Sequence, residues 1–256
     1  MKTLGIILAR KHSSRLKDKH LIKVGGKPLI QYTFEYAKAS PVLDDIVCST
    51  DSDEIAHLAK LSGIETIKRP SRLARADSHE IEALEYTLRR YRHRCKFVPE
   101  VTVTLFGNVP YRGTTIEAGL KLFYKKKAEP LFTASRVLKD HPEWMFQNNG
   151  NNGMVFRKKS LNFRCQDLPD YYIVTDSFRI SKTQTLLNRT PRKSLYSDFG
   201  KRVFFIEEEK GSTVDVDDIR DLKYFRFLLS NKKKKTKFKH GGKTEVRHFY
   251  EEKHIR

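Results

Sequence analysis

The sequence predicts an α/β fold with a mostly parallel sheet and helices on both of its faces. Short runs of apolar and β-branched residues alternate with helical patterns along the first hundred residues, as expected of parallel strands joined by helices. The 256 residues are 38% hydrophobic and 32% charged, which is enough to bury the core of one domain of generous size. A loop rich in cations and hydroxyls directly follows the first apolar run, at the edge of the sheet where such folds bind ligands.

The individual elements follow from local patterns. Pro28 suits a first helical turn, Ser52 and its neighbours can cap a helix, and Gly63 can end one. The Asn- and Gly-rich residues 148–153 are typical of a hairpin turn. We predict strands at residues 4–8, 45–49, 64–67 and 101–105, helices at about 28–39, 53–62, 78–90 and 219–229, and a further apolar run at 204–206.

The charge of the chain is strongly positive and unevenly distributed. The formal net charge is +20, and residues 231–256 hold eight Lys and two Arg against three Glu, without apolar periodicity. We predict one domain at residues 1–229 and a basic, disordered tail at 230–256. The lysines at 232–235 could bind nucleic acid, but a solvated tail is favoured because no aromatic residues alternate with them.

Cysteine usage and hydropathy favour a cytoplasmic location. Cys48, Cys95 and Cys165 are widely spaced and lack an accompanying histidine pattern, so we expect a reduced compartment and no zinc site. No apolar run approaches the roughly 18 residues that a membrane span requires. A core strand follows Met1 almost at once, so we expect neither a signal peptide nor a membrane partner.

The loop after the first strand has the composition of a phosphate-binding site. Between residues 9 and 19 it carries cations and hydroxyls, among them Arg10, Ser13 and Lys19, and residues 25–28 read Gly-Gly-Lys-Pro. Backbone N–H groups, hydroxyls and cations of such a loop can face one polyanion, such as a nucleoside triphosphate. No glycine-rich phosphate-loop signature is present, so a solvated basic loop stays open as an alternative.

Residues 8–30 resemble a known family. Leu-Ala-Arg-x-x-Ser at 8–13, then Leu16 and Lys19, then Gly-Lys-Pro-Leu-Ile at 26–30 are similar to the opening of the acylneuraminate cytidylyltransferases, the CMP-sialic acid synthetases. Enzymes that activate eight-carbon sugar acids share this opening. The resemblance covers roughly residues 3–229. It implies a Rossmann-like fold of the nucleotide-diphospho-sugar transferase type, a small dimerisation lobe at about residues 135–180, a homodimer, and Mg²⁺ or Mn²⁺ as cofactor.

Two further segments resemble the family on the nucleotide side. Residues 47–51, Val-Cys-Ser-Thr-Asp, match its second signature, for which a helix cap is the simpler explanation. Arg69-Pro70 with Leu73-Ala74 resembles the segment that lies beside the nucleotide. The resemblance therefore implies nucleotide or substrate contacts for Ala9, Ser13 and Arg69, and an exposed loop arginine is the alternative for Arg69.

The sugar side matches less well. Residues 106–112 read Phe-Gly-Asn-Val-Pro-Tyr-Arg where sialic acid enzymes usually have Gln-Pro-Thr-Ser-Pro-Leu-Arg. Thr175-Asp176 likewise replaces the usual Asn-Gly. Residues 164–172 are similar to Arg-Gln-Asp-Leu-Pro-x-x-Tyr, and a guanidinium suits a sugar carboxylate. The substrate contacts that the resemblance implies here are Asn108, Arg112, Arg164, Gln166 and Tyr172.

Asp215 and Asp217 are the candidate metal ligands. Alternate residues of a strand point the same way, so both carboxylates can face one hard cation. A helix N-cap is the simpler explanation of such a pair. Its position after the apolar run at 204–206 and before the last helix is similar to that of the family's Asp-Ile-Asp metal motif.

Together these motifs predict a cytidylyltransferase that joins CTP to an acidic keto sugar of the sialic acid type. Arg10, Lys19 and Asp215 are its predicted catalytic residues, because such a transfer needs positioning and charge neutralisation rather than a nucleophile. Two alternatives stay open: another sugar nucleotidyltransferase of the same fold, and a catalytically weakened nucleotide-binding protein. Phe106, Asn108 and Thr175-Asp176 all depart from the family pattern and favour these alternatives.

Overall fold

The centre of the molecule is a twisted sheet of seven strands with helices on both faces. A computed structural model describes residues 2–13, 15–75, 77–148, 150, 154–156, 164–188 and 204–237. The sheet order is β11-β7-β10-β6-β1-β4-β5. The strands are β1 (Thr3–Ala9), β2 (Lys23–Val24), β3 (Lys27–Pro28), β4 (Asp45–Thr50), β5 (Glu65–Lys68), β6 (Val101–Phe106), β7 (Leu131–Arg136), β8 (Phe146–Asn148), β9 (Met154–Phe156), β10 (Tyr172–Lys182) and β11 (Phe204–Glu208).

The α-helices connect these strands and end in a long C-terminal helix. They are α1 (Leu29–Lys38), α2 (Asp53–Leu61), α3 (Glu80–Cys95), α4 (Ile116–Lys126), α5 (Thr183–Leu187) and α6 (Ile219–Lys237). Of the strands in the main sheet, β10 alone runs antiparallel to its neighbours, β6 and β7, and the other pairs are parallel. The predicted α/β class with a mostly parallel sheet is confirmed.

The core lies on both faces of the sheet, because the inner strand β1 is buried throughout. Ile7 and Ala9 face a cluster that α1, α2 and α4 complete, whereas Leu4, Ile6 and Leu8 face α3 and α5. Near-continuous apolar strands are typical of sheets covered on both sides. Each buried Leu or Ile side chain contributes about 1.5–3 kcal/mol relative to exposure, so this layer holds the strand ends firmly in register.

The register brings the carboxyl ends of four strands to one edge of the sheet. Ala9 at the end of β1 is opposite Thr50 on β4, and Leu8 is opposite Phe106 on β6. Thr50 in turn is opposite Lys68 on β5. The residues that follow these strand ends are therefore brought together, as the sequence predicted for the ligand-binding edge.

Most predicted elements agree with the structure to within a few residues, whereas α3, the position of Pro28 and the length of α6 differ. Helix α3 spans Glu80–Cys95 rather than 78–90, because Tyr91 continues its buried stripe through a cation-rich stretch. Pro28 lies just before α1 instead of within its first turn. The sequence patterns gave no prediction for α4, β7 or β10, although Ile116, Leu120 and Phe123 have helical spacing.

The β8–β9 hairpin lies in the predicted lobe, and helix α6 reaches into the predicted tail. Strands β8 and β9 pair antiparallel, as expected of strands that flank a hairpin turn, while residues 149 and 151–153 of that turn lie outside the described residues. Helix α6 extends to Lys237, eight residues beyond its predicted end at residue 229. The remainder of the tail lies outside the described part of the chain, and the boundary at 229/230 stays a prediction. None of the described helices has the length and apolar character to cross a membrane.

Candidate active site

Four side chains from distant parts of the chain meet at the carboxyl edge of the sheet. Lys19 Nζ lies 2.7 Å from Asp217 Oδ1. The Asn108 side-chain amide donates hydrogen bonds to Asp217 Oδ1, at 3.3 Å, and to Asp215 Oδ1. Arg15 Nη1 approaches the other Asp217 oxygen, Oδ2, at 3.4 Å. The structure thus brings together the predicted Lys19, Asn108, Asp215 and Asp217.

The extended backbone at residues 214–217 explains why both carboxylates point the same way. Val214 N donates to the Tyr111 carbonyl and Val216 N to the Asn108 carbonyl, each at 2.9 Å. Val214 and Val216 are buried in a small apolar cluster with Phe225 of α6. Because side chains alternate along an extended segment, burial of the two valines turns Asp215 and Asp217 to the opposite side.

The helix cap that was the alternative explanation is supplied by neighbouring residues. Asp218 Oδ1 accepts a hydrogen bond from Arg220 N at 2.7 Å and from Asp221 N at 3.2 Å. Asp221 Oδ2 accepts from the backbone N–H groups of Asp217 and Asp218. The side chains of Asp215 and Asp217 are therefore not used to cap α6.

The two carboxylates have opposite pKa shifts. Burial, followed by the charge of Asp217, raises the pKa of Asp215 to about 7. For Asp217 burial acts in the same direction, but the Lys19 hydrogen bond and the charges of Lys19 and Arg15 outweigh it, so its pKa lies below the usual range. The raised pKa of Asp215 reflects in part the repulsion between two close carboxylates, and a bound divalent cation would reduce that repulsion.

The carboxylate pair fits Mg²⁺ or Mn²⁺ bound jointly with a triphosphate. Both Oδ1 atoms converge on one amide nitrogen, so they already face a common point. Within the described ranges no group of three or more His, Cys, Asp or Glu side chains forms a metal site. Mg²⁺ is commonly held by one or two carboxylates together with substrate phosphates, and two carboxylates therefore suffice.

A cleft of about 750 Å³ opens between the basic loop and the loop after β5. Lys11 N donates to Asp51 Oδ1 at 2.8 Å, and Arg10 Nη1 donates to the Arg75 carbonyl at 3.1 Å, so both loops are tied to the sheet edge. The size of the cleft suits a nucleotide, and the cationic side chains along one side of the cleft suit phosphate. The cleft is lined by Arg10, Lys11, His12, Ser13, Asp51, Ser71, Ala74, Arg75 and Asp77.

A second cleft of about 230 Å³ adjoins the first at Arg10 and reaches the carboxylate cluster through Lys19 and Asn108. Arg69 borders it as a buried residue, 7% exposed, so the alternative of an exposed loop arginine does not hold. Burial lowers the pKa of Arg69, although Asp51 and Cys48 oppose this shift. The cleft is lined by Leu8, Arg10, Lys19, His20, Arg69, Leu73, Ser78, Glu80, Phe106 and Asn108.

Two other predicted contact residues, Ala9 and Arg112, have side chains that are buried in the core or hydrogen-bonded to other parts of the protein. The Ala9 side chain is buried in the core, so only its backbone could meet a ligand. The Arg112 guanidinium donates to the carbonyls of Phe106, Val109 and Ser177, and its distance to the Tyr36 ring centroid is 4.6 Å. These contacts assign Arg112 to holding the 106–112 loop, and they do not support a substrate contact.

Arg164, Gln166 and Tyr172 are not brought to the carboxylate cluster within the described residues. Arg164 Nε pairs with Asp167 Oδ2 at 2.9 Å, and Gln166 is exposed. Tyr172 stacks on Phe205 with ring centroids 4.5 Å apart, at the β11 side of the sheet. Their predicted sugar contacts stay predictions.

Four buried or half-buried residues at the site had no signal in the sequence. His20 lies under Gly107, where an added Cβ would come within 2.9 Å of the imidazole. Glu208 accepts hydrogen bonds from Ser177 and from Thr213, which directly precedes the 214–217 segment. Glu80 and Arg179 form an ion pair beside Phe106. Each is a common residue type without a motif, and only the fold gives it a place at the site.

Comparison with known proteins gives a consistent relationship. Residues 4–98 match the family model described as Cytidylyltransferase. The chain is 27% identical over 237 residues to the pseudaminic acid cytidylyltransferase of Campylobacter jejuni, covering 89% of this chain and 96% of that one. It is 28% identical over 230 residues to the CMP-N,N'-diacetyllegionaminic acid synthase of the same species, covering 90% and 95%.

A solved structure confirms the fold. The CMP:2-keto-3-deoxy-manno-octonic acid synthetase complexed with CTP superposes with a TM-score of 0.68 at 19% identity, covering 91% of this chain and 100% of that one. The motif resemblance agrees with the sequence comparisons, in which the chain is similar to pseudaminic and legionaminic acid cytidylyltransferases along about 90% of its length.

Proposed function

We propose that this protein transfers CMP from CTP to the anomeric hydroxyl of a nonulosonic acid and releases pyrophosphate. The observation that carries the proposal is the convergence of Lys19, Asn108, Asp215 and Asp217 beside a basic cleft of nucleotide size. The similarity to pseudaminic and legionaminic acid enzymes supports the reaction and the class of sugar.

The basic loop binds and orients the triphosphate. Arg10, Ser13 and Lys19 supply two cations and a hydroxyl along one side of the joined clefts. Asp215 and Asp217 would hold Mg²⁺ or Mn²⁺, which when bound neutralises phosphate charge. Asn108 keeps the two carboxylates together through its amide.

The reaction is an in-line displacement at the α-phosphorus. The anomeric oxygen of the sugar forms the new P–O bond, the bond between the α-phosphorus and the α,β-bridging oxygen breaks, and pyrophosphate leaves with that electron pair. The hydroxyl proton passes to solvent or to a nearby base. Catalysis then depends on alignment and on cations placed around the transferring phosphoryl group, which Lys19 and Arg10 can supply.

We also propose a homodimer. Tyr172 (36% exposed) and Phe205 (38% exposed) place their rings 4.5 Å apart on the β10–β11 side of the sheet, and the next residue of β10, Ile173, is 61% exposed. Met145 and Phe146, at the start of the β8–β9 hairpin, are also exposed. Patches of this kind are typical of protein interfaces. Sedimentation velocity of the wild type and of Phe205→Glu tests this assignment. The cytoplasmic location stays a prediction.

Pyrophosphate release tests the proposed function directly. CTP and Mg²⁺ are mixed with sialic, legionaminic, pseudaminic and eight-carbon keto acids in turn, with UTP and ATP as nucleotide controls. Release with CTP and one sugar acid supports the proposal and identifies the sugar. Tight CTP binding without release from any acid would instead favour a weakened nucleotide-binding protein.

A further inference from the structure

A cluster of one guanidinium, two carboxylates and an aromatic ring borders the smaller cleft. Arg179 of β10 is 9% exposed and pairs with Glu80 at the start of α3 and with Asp176, at 2.8 Å between Nη2 and Oδ1. Its guanidinium carbon lies 4.9 Å from the centroid of the Phe106 ring. Glu80 and Phe106 line the cleft with Lys19 and Asn108, and Arg179 contacts both of them, so the Arg179–Asp176 pair adjoins the cleft wall.

The backbone of β10 aims Asp176 at this wall. The register of β10 against β7 shifts between Val174 and Arg179, as in a β-bulge. Thr175 and Ser177, on either side of Asp176, both donate hydrogen bonds to Glu208 in the interior. Asp176 adopts a φ of 56° between them and turns away from Glu208 toward Arg179. Left-handed backbone is uncommon for residues other than glycine and often occurs at functional sites.

Asp176 remains accessible within this cluster. Its side chain is 31% exposed, whereas that of Arg179 is 10% exposed. Arg179 thus holds a carboxylate that a ligand can still reach.

The charged groups around the cleft are therefore separated into a cationic side and an acidic side. Arg10, Lys19 and Arg69 place cations along it, whereas Glu80 and Asp176 place two carboxylates around a single guanidinium. A ligand that suits such a site carries negative charge at one end and hydrogen-bond donors at the other. A sugar acid has both, because its carboxylate is anionic and its hydroxyl and amide N–H groups are donors.

We propose that Asp176, oriented by Arg179, is a specificity-determining residue whose carboxylate accepts a hydrogen bond from a hydroxyl or amide N–H of the sugar acid. This inference rests on the proposed function. Sites built to accept a buried donor discriminate strongly against analogues that lack it, because the site's polar group is then left unpaired. Repulsion from Asp176 also directs the sugar's own carboxylate toward the cationic side of the cleft.

The test compares Asp176→Asn with the wild type on the sugar acid that wild type uses. We expect KM for the sugar to rise at least tenfold, while the affinity for CTP and the unfolding temperature stay unchanged. Glu65→Gln is the matched control, because Glu65 is an exposed acid that pairs with Arg94, and neither residue lines a cleft or belongs to a segment with predicted substrate contacts. An unchanged KM for the sugar would overturn the proposal.

Analogues of the sugar separate direct contact from a structural effect. Deoxy and de-N-acylated forms each lack one donor, and for one of them the difference between wild type and Asp176→Asn should disappear, as in a double-mutant cycle. If Asp176 only balances the charge of Arg179, the variant should weaken every analogue and CTP alike and lower the unfolding temperature, which would also overturn the proposal. Absence of pyrophosphate release by wild type with every acid would instead refute the proposed function, and with it this inference.

Discussion

Lys19 Nζ lies 2.7 Å from Asp217 Oδ1, although the two residues are 198 positions apart in the chain. Lys19 is 9% exposed, so its ammonium is held between the sheet edge and the carboxylate pair. The contact joins the loop after β1 to the segment before α6. It therefore links the side of the site that suits phosphate to the side that suits a metal.

Replacement of Lys19 by Ala should remove most turnover without unfolding the protein. Loss of a single preorganised cation or donor at a reacting centre costs about 10²–10³-fold in kcat. Pyrophosphate release and thermal unfolding are measured together, with Lys121→Ala on the exposed face of α4 as the control. Wild-type turnover in Lys19→Ala would remove this residue from the mechanism.

Asp215→Asn and Asp217→Asn should each raise the metal concentration needed for activity. Even the loss of a residue that supports a metal ligand typically costs about 10–100-fold in affinity, so we expect a shift of at least about tenfold. Asp218→Asn is the matched control, because asparagine still caps a helix and the Asp218 side chain is used in the cap. Equal Mg²⁺ titrations for all three variants would contradict the metal assignment, and chelation should abolish activity in the wild type.

Arg112→Ala should destabilise the fold more than it affects ligand affinity. The guanidinium donates to the carbonyls of Phe106, Val109 and Ser177, and Thr33 Oγ1 also donates to the first two. The substitution therefore removes the donor mainly from the Ser177 carbonyl, and urea unfolding should show a loss of about 1–3 kcal/mol. Arg69→Ala is the comparison, because Arg69 lines the cleft and should weaken CTP binding. A stable Arg112→Ala protein that fails to bind substrate would instead support the substrate contact that the family resemblance implies for Arg112.

Much of the fold and part of the site follow from local sequence. Strands such as β1 are continuous apolar runs, and Asp215 and Asp217 alternate with valines whose burial sets their direction. Lys19 and Arg69 are found through motifs that place them after strand ends.

The rest of the site depends on pairing between distant strands. Arg179 reaches Phe106 because β10 inserts antiparallel between β6 and β7, and Glu208 of β11 reaches Ser177 of β10 because both strands flank β7. No local pattern specifies either contact. Arg112 is the opposite case, because its sequence motif is present but its guanidinium is hydrogen-bonded to backbone carbonyls in the folded protein.

Gly113→Ala should displace the segment that carries Asp215 and Asp217. A Cβ at this position would lie 2.0 Å from Ser212 Oγ and 2.8 Å from Ser212 Cβ, and Gly113 N also donates to Thr213 Oγ1 at 2.9 Å. Overpacking of this kind costs about 1–3 kcal/mol. The double variant Gly113→Ala with Ser212→Gly removes both clashing atoms and should recover the Mg²⁺ dependence and stability of the wild type. Failure of the double variant to recover would show that the glycine serves another purpose.

His20 should make the stability of the protein fall in mild acid. Burial, followed by the charge of Lys19, lowers the pKa of His20 from 6.5 to about 3. Above pH 6.5 the imidazole is neutral in both the folded and unfolded chain, so its contribution to stability is complete there. Between about pH 6.5 and pH 3 the unfolded chain binds a proton that the folded chain excludes, and the free energy of unfolding falls by about 1.4 kcal/mol per pH unit from this residue.

A neutral side chain that cannot titrate should remove this slope. We expect the unfolding free energies of the wild type and of His20→Gln to converge as the pH is lowered from 7.5 to 4.5, because only the wild type must exclude a proton on folding. Urea unfolding at each pH measures both, and carboxylates that titrate in the same range cancel in the difference. His93→Gln is the control, because His93 is exposed on α3. A difference that stays constant with pH would show that His20 titrates normally in the folded protein, and hence that the cleft beside Lys19 is open to water.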